Sequence, residues 1–368
     1  MGISNELHSD LAVPPGEYLE EVLEELGWTK KELSQRLDRP APKLSQIFSG
    51  KKAITPQTAL QLEDVVGVPA HIWLGLEDEY RLVLARNAER AQLEQEQKLI
   101  TRFCYAELLK RGVLEKVTRA IDKVKALRRF FNVSSLMLVS SIDRYAPAFR
   151  LGAPGGKRSA EATAAWLQLG VLQAEGVDTP PYNKRKLERL IPKLPPLSRQ
   201  TPDSFLPQLK ELLAEVGVVL VIVPHLPKTY VQGATFALSS AKRIVMLSLR
   251  YRWADILWFS LLHELGHLVL HQSRETYLDF EQEDSHSAEL EHEADRFAGD
   301  TLIPPEEYSS FIEQTEYYSA TEIRAFADMI NVHPGIVVGR LQHDKLLSHQ
   351  WRNELRSKIK GASIEHSA

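Results

Sequence analysis

The sequence of 368 residues contains a single cysteine, Cys104. No disulfide can form within one chain, and a reducing compartment fits such a protein best. Residues 1–10 lack the basic start and apolar stretch of a secretory signal, and Glu6 stands where myristoylation requires Ser or Thr. The apolar run 216–223 is too short to span a bilayer. These absences predict a cytoplasmic protein that does not contact a membrane.

A strong excess of charge of one sign is also absent, since the formal net charge is −4. A protein coated in nucleic acid is therefore not indicated, and any DNA contact must come from a local basic patch. With 43% hydrophobic and 26% charged residues, the composition is ordinary for a soluble protein with real cores. The length allows two or three domains.

The most informative motif is His-Glu-Leu-Gly-His at residues 263–267, inside an apolar stretch. On a helix, His263 and His267 lie one turn apart on one face, so both imidazoles can reach one metal ion. Glu264 lies beside them, where its carboxylate can polarise a metal-bound water. This HExxH pattern is typical of zinc hydrolases and predicts a Zn²⁺ site. The alternative is that both histidines are ordinary polar residues of a half-buried helix.

A catalytic zinc site needs a third protein ligand and leaves its fourth position to water. His271 is excluded, because it lies two turns, about 12 Å, from His263 on a straight helix. An acidic helix expected near residues 287–302 offers other ligands. Glu291 is favoured, because Asp295 follows one turn later on the same face and can hold the outer nitrogen of a ligating histidine. The remaining possibilities are Glu293 as second choice, then Glu289, His286 and His292.

Hydrolysis also needs proton transfer and a hydrogen-bond donor for the oxyanion. Glu264 is expected to act as the catalytic base, taking a proton and passing it to the leaving amine. The oxyanion donor stays open among four residues: His225, Tyr230, His333 and Arg340.

The character of the chain changes at residue 216, where β-branched residues become frequent. Three runs predict strands: residues 216–224, 235–238 and 244–249. The second strand is placed at an edge because Gly233 and Ser239 flank it. The motif helix is expected over residues 255–271, with two more helices over 321–341. Together with the helical segments upstream, this predicts a mostly α, α+β fold.

Residues 15–77 form a series of short helical segments that indicate a helix–turn–helix. Thr29 is a good N-cap for a helix over residues 30–37, and the next helix, over 42–48, would enter the major groove. Predicted base contacts are Lys43, Ser45 and Gln46, and predicted phosphate contacts are Lys51, Lys52 and Arg39. The preceding helix, over residues 17–26, is acidic. The alternative is a small helical bundle that dimerises or holds a partner.

Chain breakers and composition set the expected domain bounds. A fifth short helix is expected to end near Gly75, followed by a long polar helix over residues 77–110, and many prolines over 180–207 indicate an extended linker. The predicted parts are a helix–turn–helix domain (1–77), a helical connector and linker (78–207), a domain with a small β-sheet and the motif helix (208–347) and a C-terminal tail (348–368).

Several motifs in the C-terminal part agree in order and spacing with one known family. They are HExxH at 263–267, Glu-His-Glu-Ala-Asp-Arg-Phe-Ala at 291–298, Leu-Ile-Pro-Pro at 302–305 and the stretch 335–343. Residues 209–347 resemble the ImmA/IrrE metallopeptidases. The resemblance implies a thermolysin-like, zincin-type core with the zinc ligands His263, His267 and Glu291. Glu264 is then the general base, the substrate is a regulatory protein such as a repressor, and the acidic insertion 279–291 can restrict its access.

Residues 15–76 resemble the XRE/HigA-like antitoxin repressors. The matching stretches are Gly-Trp-Thr-Lys-Lys-Glu-Leu-Ser-Gln-Arg-Leu at 27–37 and Ile-Phe-Ser-Gly-Lys-Lys-Ala-Ile-Thr at 47–55. The resemblance implies binding of operator DNA, and a homodimer follows because half-sites come in pairs. Asp-Arg-Pro-Ala-Pro at 38–42 departs from the pattern, since such repressors usually turn there through a small residue or glycine.

The sequence therefore predicts a DNA-binding, antitoxin-like transcriptional regulator. Its zinc-dependent endopeptidase domain would cleave a regulatory protein, and the expected protein partner is this substrate or a toxin or repressor. The alternative is a non-enzymatic antitoxin or repressor whose metallopeptidase fold binds a partner or senses a signal. One zinc per chain that is lost in His263→Ala is expected for the enzyme.

Overall fold

The computed structural model describes residues 11–150, 158–271, 276–280, 288–315 and 317–359. The chain divides into two compact units between Gln97 and Lys98. The described part of the first unit is helical, and the second unit combines helices with a four-stranded sheet. The expected mostly-α, α+β class is confirmed.

The described part of the first unit consists of helices with well-marked ends. They are α1 (Pro15–Leu26), α2 (Lys30–Arg36), α3 (Ala41–Phe48), α4 (Pro56–Val66) and α5 (Ala70–Glu96). Thr29 caps α2 as expected, because its side-chain oxygen accepts the Glu32 N–H at 3.1 Å. Gly27 ends α1 with φ +68°, a left-handed conformation that glycine adopts without strain. The buried core includes Leu19, Leu33, Leu44, Ile47, Leu62 and Trp73.

A single helix, α5, replaces the two helices that the sequence predicted here. Gly75 does not end a helix but lies inside a continuous one. Trp73 and Glu77, one turn apart, are both buried, and Glu77 Oε2 accepts the Ile54 N–H at 3.0 Å. This packing offsets the cost of a glycine in a helix interior, which is about 1 kcal/mol. The long helix ends at Glu96 rather than near residue 110.

The second unit surrounds its sheet with helices. They are α6 (Tyr105–Lys110), α7 (Ala120–Phe131), α8 (Ala146–Arg150), α9 (Ala160–Glu175), α10 (Lys184–Leu190), α11 (Pro202–Ala214), α12 (Ala254–Leu270), α13 (Ala288–Leu302), α14 (Pro305–Gln314), α15 (Ala320–Met329) and α16 (Pro334–His343). Short 3-10 turns lie at Gln97–Leu99, Leu136–Ser141, Ile191–Lys193, Pro195–Arg199 and Asn353–Leu355. None of the described helices has the length and apolar character needed to cross a membrane.

The sheet contains the three expected strands and one more. The strands are β1 (Val218–Ile222), β2 (Val231–Ala237), β3 (Arg243–Leu247) and β4 (Tyr277–Phe280), in the order β1-β3-β2-β4. β1 and β3 are parallel, whereas β2 is antiparallel to both β3 and β4. The edge position predicted for the second strand is therefore wrong, because β4 pairs with the outer side of β2.

Both faces of the sheet are buried, as the continuous β-branched run of β1 indicates. Val218, Leu220 and Ile222 share a core with side chains of α11 and α12. On the opposite face, Gly170 of α9 lies against the Met246 side chain of β3, where any larger residue would collide. Trp166 of α9 donates its indole N–H to the Val223 carbonyl at 2.8 Å. The sheet is thus a layer between α9 and α12.

The proline-rich stretch 180–207 is not the extended linker that the sequence predicted. It contains α10, two 3-10 turns and the start of α11. Leu187, Ile191, Leu194 and Phe205 are all buried in the core that also contains α12. Pro202 and Pro195 occupy first-turn positions, where a missing N–H costs nothing, whereas Pro207 lies inside α11.

Part of the predicted C-terminal tail packs on the second unit. Trp253, at the start of α12, forms a β-bridge with Lys358. The Ala254 N–H donates to the Ser357 carbonyl at 2.9 Å. Arg356 Nη2 binds Asp255 Oδ2 at 2.7 Å in a pair that is almost fully buried. The domain bounds at residues 77, 207 and 347 stay predictions.

Candidate metal centre and DNA-contact face

The motif helix, α12, is buried along almost its whole length. Residues from Leu257 to Val269 are buried except for Phe259, which is partly exposed. A helix that is apolar all round lies in the interior of a protein, so His263, Glu264 and His267 are at most 2% exposed. Polar side chains at such positions need partners.

Three ligand-type atoms converge between α12 and α13. Nε2 of His263 lies 3.1 Å from Nε2 of His267. Glu291 Oε2 lies 3.1 Å from the first nitrogen and 3.6 Å from the second. Among the described residues, these three form the group of His, Cys, Asp and Glu side chains that could hold a metal ion.

The two Nε2 atoms and Glu291 Oε2 form a triangle whose spacing suits a zinc ion. Bonds of about 2.0–2.2 Å in a tetrahedral arrangement place ligand atoms about 3.3–3.5 Å apart. The observed separations of 3.1, 3.1 and 3.6 Å lie around that value. Two imidazoles and one carboxylate are also a ligand set of catalytic zinc sites, which keep a fourth position open.

The two histidine rings are held in different ways. The Nδ1–H of His263 donates to Asp295 Oδ1 at 2.9 Å, which leaves Nε2 with its lone pair toward the other ligand atoms. The ring of His267 stacks on the Tyr277 ring of β4, with centroids 4.6 Å apart and planes 8° apart. Among the described residues, nothing hydrogen-bonds His267 Nδ1.

Electrostatics favour the protonation states that metal binding requires. Burial is the main cause that lowers the pKa of His267 and keeps its imidazole neutral. Burial also opposes ionisation of Glu291, but its interactions with the rings of His263 and His267 outweigh burial and hold the pKa of this carboxyl at about 2. A neutral nitrogen donor and a carboxylate are therefore available at neutral pH.

Glu264 points to the sheet rather than to α13. A side chain at Gly233 of β2 would collide with its carboxylate, so only glycine leaves room for it. Thr235, two residues along β2, donates its hydroxyl to the Glu264 backbone carbonyl at 3.3 Å. The strand β2 thus limits the positions open to the Glu264 carboxylate and bonds the backbone of the motif helix at the same residue.

The other residues considered as ligands lie elsewhere. His271 hydrogen-bonds the Leu290 carbonyl at 3.1 Å and lies 3.6 Å from the Glu293 carboxylate, away from the triangle. Glu289 and His292 are exposed on α13. His286 and most of the acidic insertion, residues 281–287, lie outside the described residues.

Arg340, one of the four possible oxyanion donors, lines a cavity whose wall also includes Asp295. His333 is occupied at the start of α16, where its Nδ1 accepts the Gly335 N–H at 3.0 Å and its Nε2–H donates to Ser357 at 3.0 Å. Tyr230 lies under the guanidinium of Arg250. Two residues that contact the site, Tyr277 and Gly233, were not predicted from the sequence. The residues Thr-Tyr-Leu-Asp-Phe at 276–280 nevertheless have strand character.

In the first unit, α3 presents most of the predicted DNA contacts to solvent. Lys43, Ser45 and Gln46 are exposed, while Leu44, Ile47 and Phe48 of the same helix are buried. Lys51 and Lys52 are exposed in the loop that follows. Arg39 instead donates from Nε and Nη2 to Gln61 Oε1 at 2.9 and 2.7 Å, which ties the α2–α3 turn to α4. The hydrogen bonds to Gln61 compete with the phosphate contact that was predicted for Arg39.

Two known families match parts of the chain. Residues 254–341, which contain the motif helix and α13, match the family described as the IrrE N-terminal-like domain. Residues 19–73, from α1 into α5, match the helix-turn-helix family. The first match contains all three residues of the triangle, His263, His267 and Glu291, and the second match contains α3.

Individual relatives match about a fifth of the chain. The uncharacterized HTH-type transcriptional regulator YddM of Escherichia coli K12 is 31% identical over 71 residues, which are 19% of this chain and 76% of that protein. An addiction module antidote protein of a HigA family from Coxiella burnetii is 30% identical over 23% of this chain and 94% of that one, with a TM-score of 0.21. A putative antidote protein of a plasmid maintenance system from Nostoc punctiforme is 23% identical over 23% of this chain and 91% of that one, with a TM-score of 0.22.

Proposed function

The chain belongs to the helix-turn-helix transcriptional regulators and also contains an IrrE N-terminal-like domain of the metallopeptidases, and from this we propose that it is a DNA-binding regulator with a zinc-dependent endopeptidase. The enzyme would cleave a regulatory protein in the cytoplasm. The triangle formed by His263, His267 and Glu291, beside the buried carboxylate of Glu264, is the observation that carries the proposal.

The residues of the site divide the chemical work. His263, His267 and Glu291 would hold the zinc ion, and Asp295 would keep His263 in the tautomer that binds. When bound, zinc supplies Lewis acidity that makes water a nucleophile near neutral pH. Glu264 would accept the proton of the attacking water and return it to the leaving amine. Its close fit against Gly233 limits the positions that its carboxylate can take.

The DNA-binding part of the proposal rests on α3. Lys43, Ser45 and Gln46 form a polar, exposed face on a helix whose other face is buried, as expected of a helix in the major groove. Lys51 and Lys52 would contact phosphates next to it. Binding as a homodimer to paired half-sites would follow from the symmetry of such operators.

Metal content and cleavage test the enzyme. We expect about one zinc per purified chain by elemental analysis, its loss in His263→Ala, and its retention in Glu264→Gln. Incubation with the product of the adjacent gene should give cleavage by the wild type and none by Glu264→Gln. Zinc retention without cleavage of that protein would instead favour a non-enzymatic, partner-binding role.

Binding to the chain's own promoter tests the regulator. The affinity should fall with rising salt and fall further in Lys43→Ala, because the contacts are made by cations. Lys31→Ala, another exposed lysine on α2 of the same unit, is the matched control. An unchanged affinity in Lys43→Ala would remove α3 from the interface.

A further inference from the structure

A cavity of about 650 Å³ lies beside the His263–Asp295 pair. Its walls come from α12, α13 and α16, and Gln232 and Tyr251 complete them. Asp295 lines the cavity, and so does Phe259, whose ring centroid lies 6.3 Å from that of His263. Ligand pockets of proteins have volumes of about 300–1,000 Å³. The cavity therefore has the size of a binding site and borders the candidate metal centre.

Three charged groups in the cavity wall are already paired. Asp255 is held by Arg356 at 2.7 Å, and Asp295 by His263 at 2.9 Å. Arg340 Nε binds Asp344 at 2.8 Å. A further charge brought next to these three groups would lose hydration without finding an unpaired partner among them, which is unfavourable. The other ionisable lining residues, Arg296, Asp300, His292 and His343, are exposed to solvent.

Much of the remaining lining is apolar, and two glycines also line the cavity. Ile256, Phe259 and Ile336 supply apolar surface to the cavity. A Cβ at Gly299 would lie 2.5 Å from Arg340 Nη1, and one at Gly339 would lie 2.9 Å from Asp255 Oδ2. Both glycines thus leave room for the paired Arg340 and Asp255 side chains, which a larger residue would displace.

We propose that this cavity binds a bulky apolar side chain of the protein substrate, adjacent to the bond that is cleaved. The proposal rests on the peptidase function proposed above and assigns the substrate's specificity to Ile256, Phe259 and Ile336. An apolar side chain gains free energy by leaving water for this surface. A lysine or glutamate side chain gains less, because Asp255, Asp295 and Arg340 are already paired and the other lining charges, Arg296 and Asp300, are exposed to solvent.

The first experiment measures binding without requiring cleavage. The full-length, zinc-loaded protein, with labelled isoleucine methyl groups, is titrated with N-acetyl-phenylalaninamide and separately with N-acetyl-lysinamide. The methyl signals of Ile256 and Ile336, assigned through Ile256→Val and Ile336→Val, should shift with the phenylalanine compound alone. Absence of these shifts, or equal shifts with the lysine compound, would overturn the proposal.

The second experiment measures cleavage preference with a pool of synthetic peptides of random sequence. The wild type should prefer a large apolar residue at one position beside the cut. Ile256→Trp, which fills the cavity, should lower that preference by about 10–200-fold at unchanged zinc content. Met329→Trp, at a residue of α15 that is 64% exposed, is the control.

The two experiments separate the cavity from the peptidase. An unchanged preference in a cleaving Ile256→Trp variant would refute the specificity role of the cavity. Methyl shifts of Ile256 and Ile336 without cleavage of any peptide would support the apolar pocket but refute the proposed peptidase.

Discussion

His263 and His267 illustrate how single contacts orient the side chains of a candidate metal site. His263 is oriented by a hydrogen bond to Asp295, which also selects its tautomer. His267 is oriented by packing between Tyr277 and His271, whose ring centroids lie 4.6 and 5.1 Å from its own. One ligand thus depends on a charge and the other on an aromatic contact, and substitutions can separate the two effects.

Tyr277→Ala should weaken zinc binding. Such an aromatic pair contributes about 0.5–1.5 kcal/mol beyond burial, so we expect the zinc dissociation constant to rise by up to about tenfold. Competition with a chromophoric chelator measures this constant without any substrate. Tyr277→Phe keeps the ring and should bind zinc like the wild type. Equal affinities of Tyr277→Ala and the wild type would show that the stack does not position His267.

Among the elements, α16 depends on an unusual N-cap. His333 Nδ1 accepts the Gly335 N–H, and its backbone N–H donates to Ser198 Oγ at 3.0 Å. Burial is the main cause that lowers the pKa of His333 below its ordinary 6.5. Protonation of Nδ1 would remove the acceptor that caps the helix. The cap therefore makes α16, which carries Arg340 and Gly339 of the cavity wall, sensitive to acid.

The free energy of unfolding of the metal-free protein should fall as the pH drops below about 6.5. The unfolded state then binds a proton at His333 that the folded state does not, so the slope reaches at most about 1.4 kcal/mol per pH unit. Above that pH, the contribution is constant. His333→Asn keeps a capping acceptor but cannot titrate, so its urea midpoints between pH 5 and 7.5 should vary less. An equally steep pH dependence in His333→Asn would contradict this role.

The helix α5 fixes the loop that carries two predicted phosphate contacts. Glu77 is 5% exposed, accepts the Ile54 N–H and binds Arg81 Nε at 2.7 Å. Arg81 Nη2 in turn donates to the Gly50 carbonyl at 2.9 Å. Both ends of the segment with Lys51 and Lys52 are thus bonded to one helix.

Glu77→Ala should destabilise the first unit and weaken promoter binding. It leaves the buried Ile54 N–H without its acceptor, which costs about 1–3 kcal/mol of the free energy of unfolding. Urea unfolding and titration of a promoter fragment measure the two effects. Glu79→Ala changes an exposed residue of the same helix and should alter stability by less than about 0.5 kcal/mol. Wild-type promoter affinity in Glu77→Ala would argue against a positioning role.

For the whole molecule, residues 98–207 of the predicted connector and linker cluster with the second unit. α9 is buried from Glu161 to Val171 and covers one face of the sheet. Gln168, on α9, donates to the Phe130 carbonyl at 2.7 Å, which ties α7 to the same layer. Removal of α9 would expose the apolar face of β1 and β3 to water.

Two fragments distinguish this arrangement from the predicted domain bound at residue 207. Residues 98–368 should be soluble and unfold cooperatively. Residues 208–368 lack α6 to α10 and the start of α11, and they should aggregate or unfold without a sharp transition. Circular dichroism during heating compares them. Cooperative unfolding of the shorter fragment would support the bound at 207 and contradict a structural requirement for α9.

Local patterns in the sequence were sufficient for much of the site. Helical periodicity placed His263 and His267 on one face, and the spacing of Glu291 and Asp295 selected them from several acids of α13. Thr29 as an N-cap and the β-branched run of β1 are likewise local features. Such features can be inferred because each depends on residues a few positions apart in the chain, and backbone geometry relates those positions directly.

The tertiary structure alone decided which distant segments meet. β4 occupies the edge of β2 and brings Tyr277 onto His267, α9 covers the sheet, and α16 completes the cavity beside Asp295. These contacts join residues tens to hundreds of positions apart, and their partners are chosen by packing among all the apolar surfaces of the unit. No spacing within a single helix or strand encodes that choice.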